Sequence, residues 1–262
     1  MRVFAGPNGS GKSTIIDSVK QYQSNGRPID FGYYINADDI ARSLRDTGFS
    51  FDDFDVAVSG KEFREIALQS GLINEFFTEK QFIASWFLRK NTIKLKVPST
   101  DERMAQIIAD FLRKKMLAEK KKFSFETVFS HPSKLDIMRQ AAEAGYKVYL
   151  YFVSTENPEI NISRVELRTR EGGHDVPRDK IESRYYRSLE LLYEASQIAY
   201  QAFFFDNSIE NRSFELFAFF KRRGKNKLWD SVPAEQFPRW FGKYYSQKIK
   251  DKSPSAQPKK NN

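Results

Sequence analysis

Gly6-Pro7-Asn8-Gly9-Ser10-Gly11-Lys12-Ser13 is the stretch that decides the fold of this chain. It has the P-loop pattern G-x-x-x-x-G-K-S, in which glycines let the backbone bend around a phosphate so that N–H groups point at its oxygens. The apolar run Val3-Phe4-Ala5 precedes it, and an amphipathic run follows it at residues 14–19. A strand, the loop and a helix in this order predict an α/β fold that binds a nucleoside triphosphate.

The positions of the loop have separate expected tasks. Lys12 brings positive charge to the terminal phosphates, and the Ser13 hydroxyl is the expected Mg²⁺ ligand. The helix that begins near Gly11 adds the positive end of its dipole. The predicted nucleotide-binding residues are Gly6, Asn8, Gly9, Ser10, Gly11, Lys12, Ser13 and Thr14. The stretch predicts ATP or GTP together with Mg²⁺, and it does not distinguish the two bases.

Composition excludes several classes of protein. The chain has 262 residues, of which 40% are hydrophobic and 29% charged, as in an ordinary globular protein. The absence of cysteine excludes disulfides, thiolate zinc sites and a cysteine nucleophile. No apolar run approaches the roughly 20 residues of a membrane span, and the P-loop begins so early that we expect no signal peptide. We therefore expect a cytoplasmic protein without a membrane partner.

The net charge of +9 belongs to the C-terminal segment. Residues 221–262 hold 12 Lys/Arg and 3 Asp/Glu, whereas the rest of the chain holds 31 of each. A polyanion would have to be held by this segment. Trp229 and Trp240 lie in it, and we expect them to pack on the domain while the charges stay solvated. A nucleic-acid partner is therefore not expected.

Alternating strand and helix patterns continue after the P-loop. Runs typical of strands occur at 31–35, 123–128, 146–153 and 202–206, with helical patterns at 100–122 and 132–144. They predict a P-loop NTPase-type three-layer sandwich with a mostly parallel sheet. Residues 51–97 are mostly helical in pattern, with an alternating stretch at 93–97 typical of a short edge strand, and we interpret them as an insertion. We predict a main domain over 1–220, a basic segment over 221–252 packed on it, and a disordered tail over 253–262.

Carboxylates follow two of the predicted strands. Asp38 and Asp39 come after residues 31–35, and Glu126 lies near the end of residues 123–128. The carboxyl ends of parallel strands meet at one edge of a sheet, so we expect these groups and the P-loop to share a cleft. Phosphoryl transfer to a hydroxyl needs a carboxylate beside the acceptor. Asp38 is the favoured base and Asp39 the alternative, and either could instead cap the helix that follows.

Glu126 has two expected roles and one plain alternative. It could orient the acceptor hydroxyl, it could lie behind the Mg²⁺ ligands, or it could form a surface ion pair.

An arginine-rich stretch over 157–192 is typical of a lid, because guanidinium groups stabilise phosphoryl charge. Arg164 and Arg168 share one helical face, with a solvated face as the alternative. His174 lies on the Gly172-Gly173 turn and has either a direct or a structural role.

These motifs together resemble the zeta toxin family, P-loop kinases of bacterial toxin–antitoxin systems that are related to the chloramphenicol phosphotransferases. The resemblance is carried by the P-loop, Asn36-Ala37-Asp38, Phe125-Glu126-Thr127, and the run from Arg164 to Pro177 with Gly172-Gly173-His174. It implies transfer of the γ-phosphate to a hydroxyl of UDP-N-acetylglucosamine and an antitoxin protein as partner.

The resemblance also implies roles for single residues. The base falls on Asp38, the P-loop lysine on Lys12, the substrate glutamate on Glu126 and the first lid arginine on Arg164 or Arg168. Together with the reasoning from the residues, this predicts Asp38, Lys12, Arg164 and Arg168 as catalytic residues. The residues predicted to contact the acceptor substrate are Asp39, Glu126, Thr127 and His174.

The sequence departs from the family pattern at three places. His174 replaces a second lid arginine, no arginine follows Glu126 within residues 127–131, and the segment between Asp38 and Glu126 is long. The resemblance therefore bears more on kinase chemistry than on the acceptor. A kinase of another small molecule or of a nucleic-acid end stays open, as does an NTP-binding switch without transfer.

Overall fold

The chain forms two compact units in the computed structural model, which describes residues 1–172, 175–210, 212 and 214–252. Unit 1 consists of Met1 and Asp30–Glu126, and unit 2 of Arg2–Ile29 and Thr127–Asn262. The domain boundaries predicted after residues 220 and 252 fall inside unit 2. The predicted disordered tail, residues 253–262, lies outside the described residues.

Unit 2 begins with the strand, loop and helix that the P-loop predicts. Its first elements are β1 (Arg2–Ala5), α1 (Lys12–Gln21), β2 (Gln23–Ser24) and β3 (Arg27–Pro28). Val3, Phe4 and Ala5 are buried, as expected of a strand that is covered on both faces. Ile15 and Ile16 bury one side of α1. The P-loop is thus held between two packed elements.

Unit 1 contains a parallel strand pair, helices and a small separate sheet. Its elements are β4 (Tyr33–Ile35), α2 (Ala37–Asp46), β5 (Phe49–Ser50), α3 (Gly60–Leu68), α4 (Glu79–Ser85), β6 (Trp86–Arg89), β7 (Thr92–Leu95), α5 (Asp101–Ala118) and β8 (Phe123–Thr127). Strands β4 and β8 run parallel, with Ile35 opposite Phe125. The parallel pairing brings the carboxyl ends of both strands to one edge.

The insertion predicted over 51–97 holds more than helices. Helices α3 and α4 account for its helical pattern, and an antiparallel sheet in the order β5-β7-β6 stands beside them. Strand β7 lies between β5 and β6, so the alternating stretch is a central strand and not an edge. An aromatic core holds the insertion against α5: the rings of Phe63 and Phe111 lie 5.1 Å apart, and those of Phe51 and Phe111 5.4 Å.

The remainder of unit 2 is a second run of strands and helices. Its elements are α6 (Ser133–Glu143), β9 (Tyr149–Ser154), α7 (Pro158–Arg170), α8 (Arg178–Glu190), α9 (Leu192–Ile198), β10 (Gln201–Asp206), β11 (Glu215–Arg223), β12 (Asn226–Ser231), α10 (Arg239–Phe241) and α11 (Gln247–Lys252). The strands lie in the order β12-β11-β10-β9-β1. Strands β1, β9 and β10 are parallel, whereas β11 and β12 are antiparallel. The prediction of a mostly parallel sheet with flanking helices is confirmed.

The basic C-terminal segment buries several aromatic side chains within unit 2, whereas Trp229 packs on Phe220 but stays 41% exposed. Trp240 is only 2% exposed, and its Nε1 donates a hydrogen bond of 2.8 Å to Oδ1 of Asp206. Phe241 stacks on Tyr245 with 4.6 Å between ring centroids. Asp206 therefore anchors this segment to the end of β10. Within the described residues, every helix is too short or too polar to span a membrane.

Candidate functional site

The P-loop has the backbone shape that phosphate binding needs. Gly9 and Gly11 have φ of +72° and +93°, in the left-handed region that glycine adopts without strain. A Cβ on Gly9 would lie 2.5 Å from the carbonyl oxygen of Asn161, and one on Gly11 would meet Nδ2 of Asn207. Because backbone and amide groups pack this closely, only glycine fits at both positions.

Two asparagines from outside the loop hold it in place. Nδ2 of Asn161, on α7, donates to the carbonyl oxygen of Asn8, and the hydroxyl of Thr155 donates to Oδ1 of Asn161. Nδ2 of Asn207 donates to the carbonyl oxygen of Ser10 over 3.0 Å. Asn161 is fully buried, so its amide is a fixed part of the structure. The loop is preorganised before any ligand arrives.

Lys12 and Ser13 lie where α1 begins. Gly11 offers no side chain to cap this helix, and no acidic residue occupies its first turn, which leaves an end suited to anions. Nζ of Lys12 donates to the carbonyl oxygen of Pro7 over 2.8 Å, so the buried amine lies against the loop.

The residues of the loop fit Mg²⁺. Ser13 is exposed, and among the residues that the structure describes its hydroxyl has no hydrogen-bond partner. Within the same residues no cluster of three or more His, Cys, Asp or Glu could hold a metal. Ser13 would therefore hold the ion together with phosphate oxygens, the manner in which Mg²⁺ is usually bound beside a nucleotide.

Arg164 follows Asn161 by one turn of α7, the helix that touches the P-loop. Its Nη1 is buried and has no hydrogen-bond partner among the described residues. Arg168 lies one further turn along and is exposed. The spacing puts both guanidinium groups on one face of α7, as predicted. Because Nη1 of Arg164 is buried without a partner in the described residues, Arg164 is the better candidate of the two for binding an anion.

Asn36 organises the acidic turn of unit 1. It is the N-cap of α2: its Oδ1 accepts a hydrogen bond of 2.8 Å from the backbone N–H of Asp38. Since Asn36 takes this position, neither Asp38 nor Asp39 caps the helix, and both lie in its first turn. Oδ1 of Asp39 pairs with Nη1 of Arg42 at 3.2 Å. The side chain of Asp38 is exposed and has no partner within the described part of the chain.

Glu126 lies beside the same turn, at the end of β8. Its Oε2 accepts hydrogen bonds from the phenol of Tyr34, over 3.2 Å, and from Nδ2 of Asn36, over 3.5 Å. Burial, and then the negative charge of Glu126, raises the pKa of Tyr34, so the phenol stays a donor. Asn36 thus connects Glu126 with the turn that carries Asp38, and the structure brings these predicted residues together within unit 1.

Two predicted residues of the acceptor side differ from the others. The hydroxyl of Thr127 accepts a hydrogen bond of 3.0 Å from the N–H of Phe129, so it supports the turn after β8. Phe129 is buried with φ of +59°, which gives this turn a fixed shape. His174 and its neighbour Gly173 lie outside the described residues. The roles proposed for Thr127 and His174 stay predictions.

Sequence reasoning missed Asn161 and the hydroxyl of Tyr34. Asn161 could have been found as a polar residue between Ile160 and Ile162 that lies one turn before Arg164 on a helix. Tyr34 had no such signal, because its aromatic ring fits the strand pattern and its hydroxyl acquires a partner only when β4 pairs with β8.

The comparison with protein families shows which family the chain belongs to. The family model described as zeta toxin matches residues 95–232, which is more than half of the chain. The chain belongs to the zeta toxin family. The resemblance to its P-loop kinases is thereby confirmed. The matched segment contains Glu126, Arg164 and Arg168, whereas the P-loop and Asp38 precede it.

Relatives of this family member cover it unevenly. A protein of Haemophilus influenzae described as uncharacterized is 33% identical over 63 residues, which are 24% of this chain and 45% of that protein. The structure of AvrRxo1-ORF1:AvrRxo1-ORF2 with sulphate ions has a TM-score of 0.51 at 15% identity, over 89% of this chain and 61% of that one. The same pair with ATP has a TM-score of 0.50 at 16% identity, over 89% and 60%. The chain therefore spans less than two thirds of each relative, and these structures support the fold alone.

Proposed function

We propose that this zeta toxin family member transfers the γ-phosphate of ATP or GTP to a hydroxyl of a nucleotide sugar such as UDP-N-acetylglucosamine. The observation that carries the proposal is the exposed carboxylate of Asp38, which has no partner among the described residues although its neighbour Asp39 is paired with Arg42. An unpaired carboxylate in a helix first turn is free to accept a proton from an acceptor hydroxyl.

The donor half of the reaction belongs to unit 2. The N–H groups of the P-loop and the amine of Lys12 bind the phosphates, and Ser13 would hold Mg²⁺. Bound Mg²⁺ would neutralise charge on the transferring phosphate. Arg164 would stabilise the charge that spreads over the γ-phosphate oxygens, with Arg168 as a further cation on the same face. ATP is favoured as donor because a structure of related fold contains it.

The acceptor half belongs to unit 1. Asp38 would take the proton as the hydroxyl oxygen attacks phosphorus and the nucleoside diphosphate leaves. Glu126, held by Tyr34 and Asn36, would accept a hydrogen bond from the sugar and orient it. Asp39 is the alternative base, although Arg42 already pairs with it. That both halves act on one pair of substrates stays a prediction, as do an antitoxin partner and a cytoplasmic location.

Labelled nucleotide and a panel of acceptors test the proposal. Wild-type protein is incubated with γ-labelled ATP or GTP and with UDP-sugars, nucleosides and oligonucleotide ends. We expect label on UDP-N-acetylglucosamine or another nucleotide sugar. Label on nucleosides or oligonucleotides only would keep the kinase and overturn the acceptor. Label that passes only to water or to the protein would leave the NTP-binding switch as the better reading.

Paired aspartate variants test the base. We expect Asp38→Asn to lower kcat by about 10²- to 10⁴-fold, the usual contribution of a general base, without weakening ATP binding. Asp39→Asn is the matched control and should keep most of the activity. The reverse pattern would assign the base to Asp39.

A further inference from the structure

Helix α8 contains an arginine, Arg184, that has no counter-ion among the residues the structure describes. Arg184 is half-buried, and among the described residues it forms no ion pair or hydrogen bond. Other arginines of α8 differ: Nη2 of Arg178 pairs with Oε2 of Glu159 at 2.5 Å, and Arg187 donates to the carbonyl and hydroxyl oxygens of Ser183. Burial, and then the positive charge of Arg187, lowers the pKa of Arg184. Within the described part of the chain, no carboxylate pairs with it.

Arg184 lies on the face of α8 that points into unit 2. Ile181 and Ser188, one turn before and after it, are both buried, as is the adjacent Tyr185. The hydroxyl of Ser188 also has no hydrogen-bond partner within the described residues. A half-buried cation without a counter-ion and a buried hydroxyl without a partner both cost free energy in the free protein.

Three contacts place this part of α8 beside the start of α7. Arg178 pairs with Glu159, Ile181 packs in a cluster with Ile162, and the phenol of Tyr185 donates to the carbonyl oxygen of Thr155 over 2.6 Å. Ile181 and Tyr185 flank Arg184 along the helix. The backbone of Arg184 therefore lies beside the start of α7.

The same end of α7 is the one that reaches the P-loop. The hydroxyl of Thr155 donates to Asn161, and the amide of Asn161 donates to the carbonyl oxygen of Asn8. Arg164, whose Nη1 is buried without a partner among the described residues, follows one turn later. Two uncompensated guanidinium groups are therefore carried by two helices that are connected to the loop through one chain of hydrogen bonds.

We infer that Arg184 binds a phosphate of the donor nucleotide, together with Arg164. This inference rests on the proposed function, and it adds a residue on α8 to the donor half. A phosphate oxygen supplies the negative charge that Arg184 lacks in the free protein, and the planar guanidinium can contact two such oxygens at once. Arg184 then compensates charge on the nucleotide and also links α8 to the bound ligand.

Equilibrium binding of Mg-ATP and thermal unfolding test this role, with wild type, Arg184→Ala, Arg184→Lys and Arg187→Ala. We expect Arg184→Ala to raise the Kd for ATP by about 10- to 100-fold, the range for one charged hydrogen-bonding contact. Arg184→Lys should recover part of the affinity because it keeps the charge. Arg187→Ala, an exposed position one turn along the same helix, should bind ATP as wild type does.

Unfolding without nucleotide separates ligand binding from a structural role. Because Arg184 lacks a partner in the free protein, Arg184→Ala should leave the Tm unchanged or raise it, while the stabilisation by ATP becomes smaller. Unchanged ATP affinity in Arg184→Ala overturns the inference, and so does a lower Tm in both Arg184 variants with wild-type affinity. If wild type itself fails to bind ATP, both the inference on Arg184 and the proposed function are overturned. If wild type binds ATP but transfers no phosphate, the inference on Arg184 is still decided by binding.

Discussion

The phenol of Tyr34 donates a hydrogen bond of 3.2 Å to Oε2 of Glu126, across the parallel strands β4 and β8. Burial and the charge of Glu126 both raise the pKa of Tyr34, so the phenol keeps its proton throughout the pH range in which kinases work. The carboxylate is therefore held by a permanent donor. Tyr34 is a positioning residue in the proposed reaction, because it acts through Glu126.

Tyr34→Phe tests this relationship. Removal of the hydroxyl takes away one of the two hydrogen bonds described above that fix the carboxylate of Glu126. We therefore expect the kcat/KM for the acceptor to fall by about tenfold, the value of one hydrogen bond to a charged group. The KM for ATP should not change. Tyr33→Phe is the matched control, since no hydrogen bond of the Tyr33 hydroxyl exists within the described residues. Equal losses in both variants would show a general effect on the strand.

Gly9→Ala tests the fit of the P-loop. The added Cβ would lie 2.5 Å from the backbone oxygen of Asn161, at a φ of +72°. Strain of about 1–3 kcal/mol should displace the loop and weaken ATP binding by about 10- to 100-fold, measured by equilibrium titration. Gly145→Ala is the control, because it has φ of +85° but no atom within 4 Å of the added Cβ. If Gly145→Ala weakens ATP binding as much, the close approach to Asn161 is not the cause.

The parts of the fold that have a clear local sequence signal could be predicted from the sequence. The glycines, lysine and flanking strand and helix of the P-loop are a local signal, and the structure has β1 and α1 where they were expected. The small sheet of the insertion was missed. Strand β6 follows α4 without a break, and its turn to β7 is Lys90-Asn91, with φ of +45° and +58° at residues other than glycine. Asn91 tolerates such a conformation, but the pair lacks the glycine of the standard hairpin turns Asn-Gly and Asp-Gly, so the local signal is weak.

The site was predicted in type more than in detail. Asp38, Glu126 and Arg164 lie at strand ends or on the expected helix, as their positions in the sequence indicated. The contacts that hold them needed the structure, because Asn36 serves both Asp38 and Glu126 through opposite ends of one amide. A cap at Asn36 and a cap at Asp38 fit the same sequence, and only the backbone of α2 distinguishes them.

Asn161→Ala tests the connection between α7 and the P-loop. The change leaves the carbonyl oxygen of Asn8 without this donor, while the hydroxyl of Thr155 keeps only the carbonyl oxygen of Asn157 as an acceptor. We therefore expect about 1–3 kcal/mol lower free energy of unfolding and weaker ATP binding. Asn157→Ala, which removes the N-cap of the same helix, should cost about 1 kcal/mol and leave ATP affinity intact. Urea unfolding and ATP titration on both variants compare these effects. Unaltered ATP affinity in Asn161→Ala would show that the loop keeps its shape without this amide.

Lys227 gives unit 2 a pH-dependent stability. Its amine lies 4.4 Å from the ring centroid of Phe220 and 3.3 Å from the hydroxyl of Tyr245. Burial, and then the charge of Arg222, lowers the pKa of Lys227 to about 8. The unfolded chain keeps the ordinary value of about 10.4, so between these two pH values it binds more protons than the folded protein does. The free energy of unfolding should therefore rise with pH from about 8 upward. Below pH 8 the amine is charged in the folded protein, and the full free-energy cost of burying that charge is present.

Lys227→Met removes the charge and keeps an apolar side chain of similar length beside Phe220. Because part of the Lys227 side chain remains in solvent, which screens its charge, we expect a gain of only about 1 kcal/mol at pH 7. The gain should shrink as the pH rises from 8 to 9.5, since wild type then loses the penalty that the variant never had. Tyr245, whose pKa burial raises to about 12, does not titrate in this window. Urea unfolding at closely spaced pH values measures the difference, and Lys225→Met in the exposed turn between β11 and β12 is the control. Parallel curves for wild type and Lys227→Met over this range would mean that Lys227 remains charged at no cost in the folded protein.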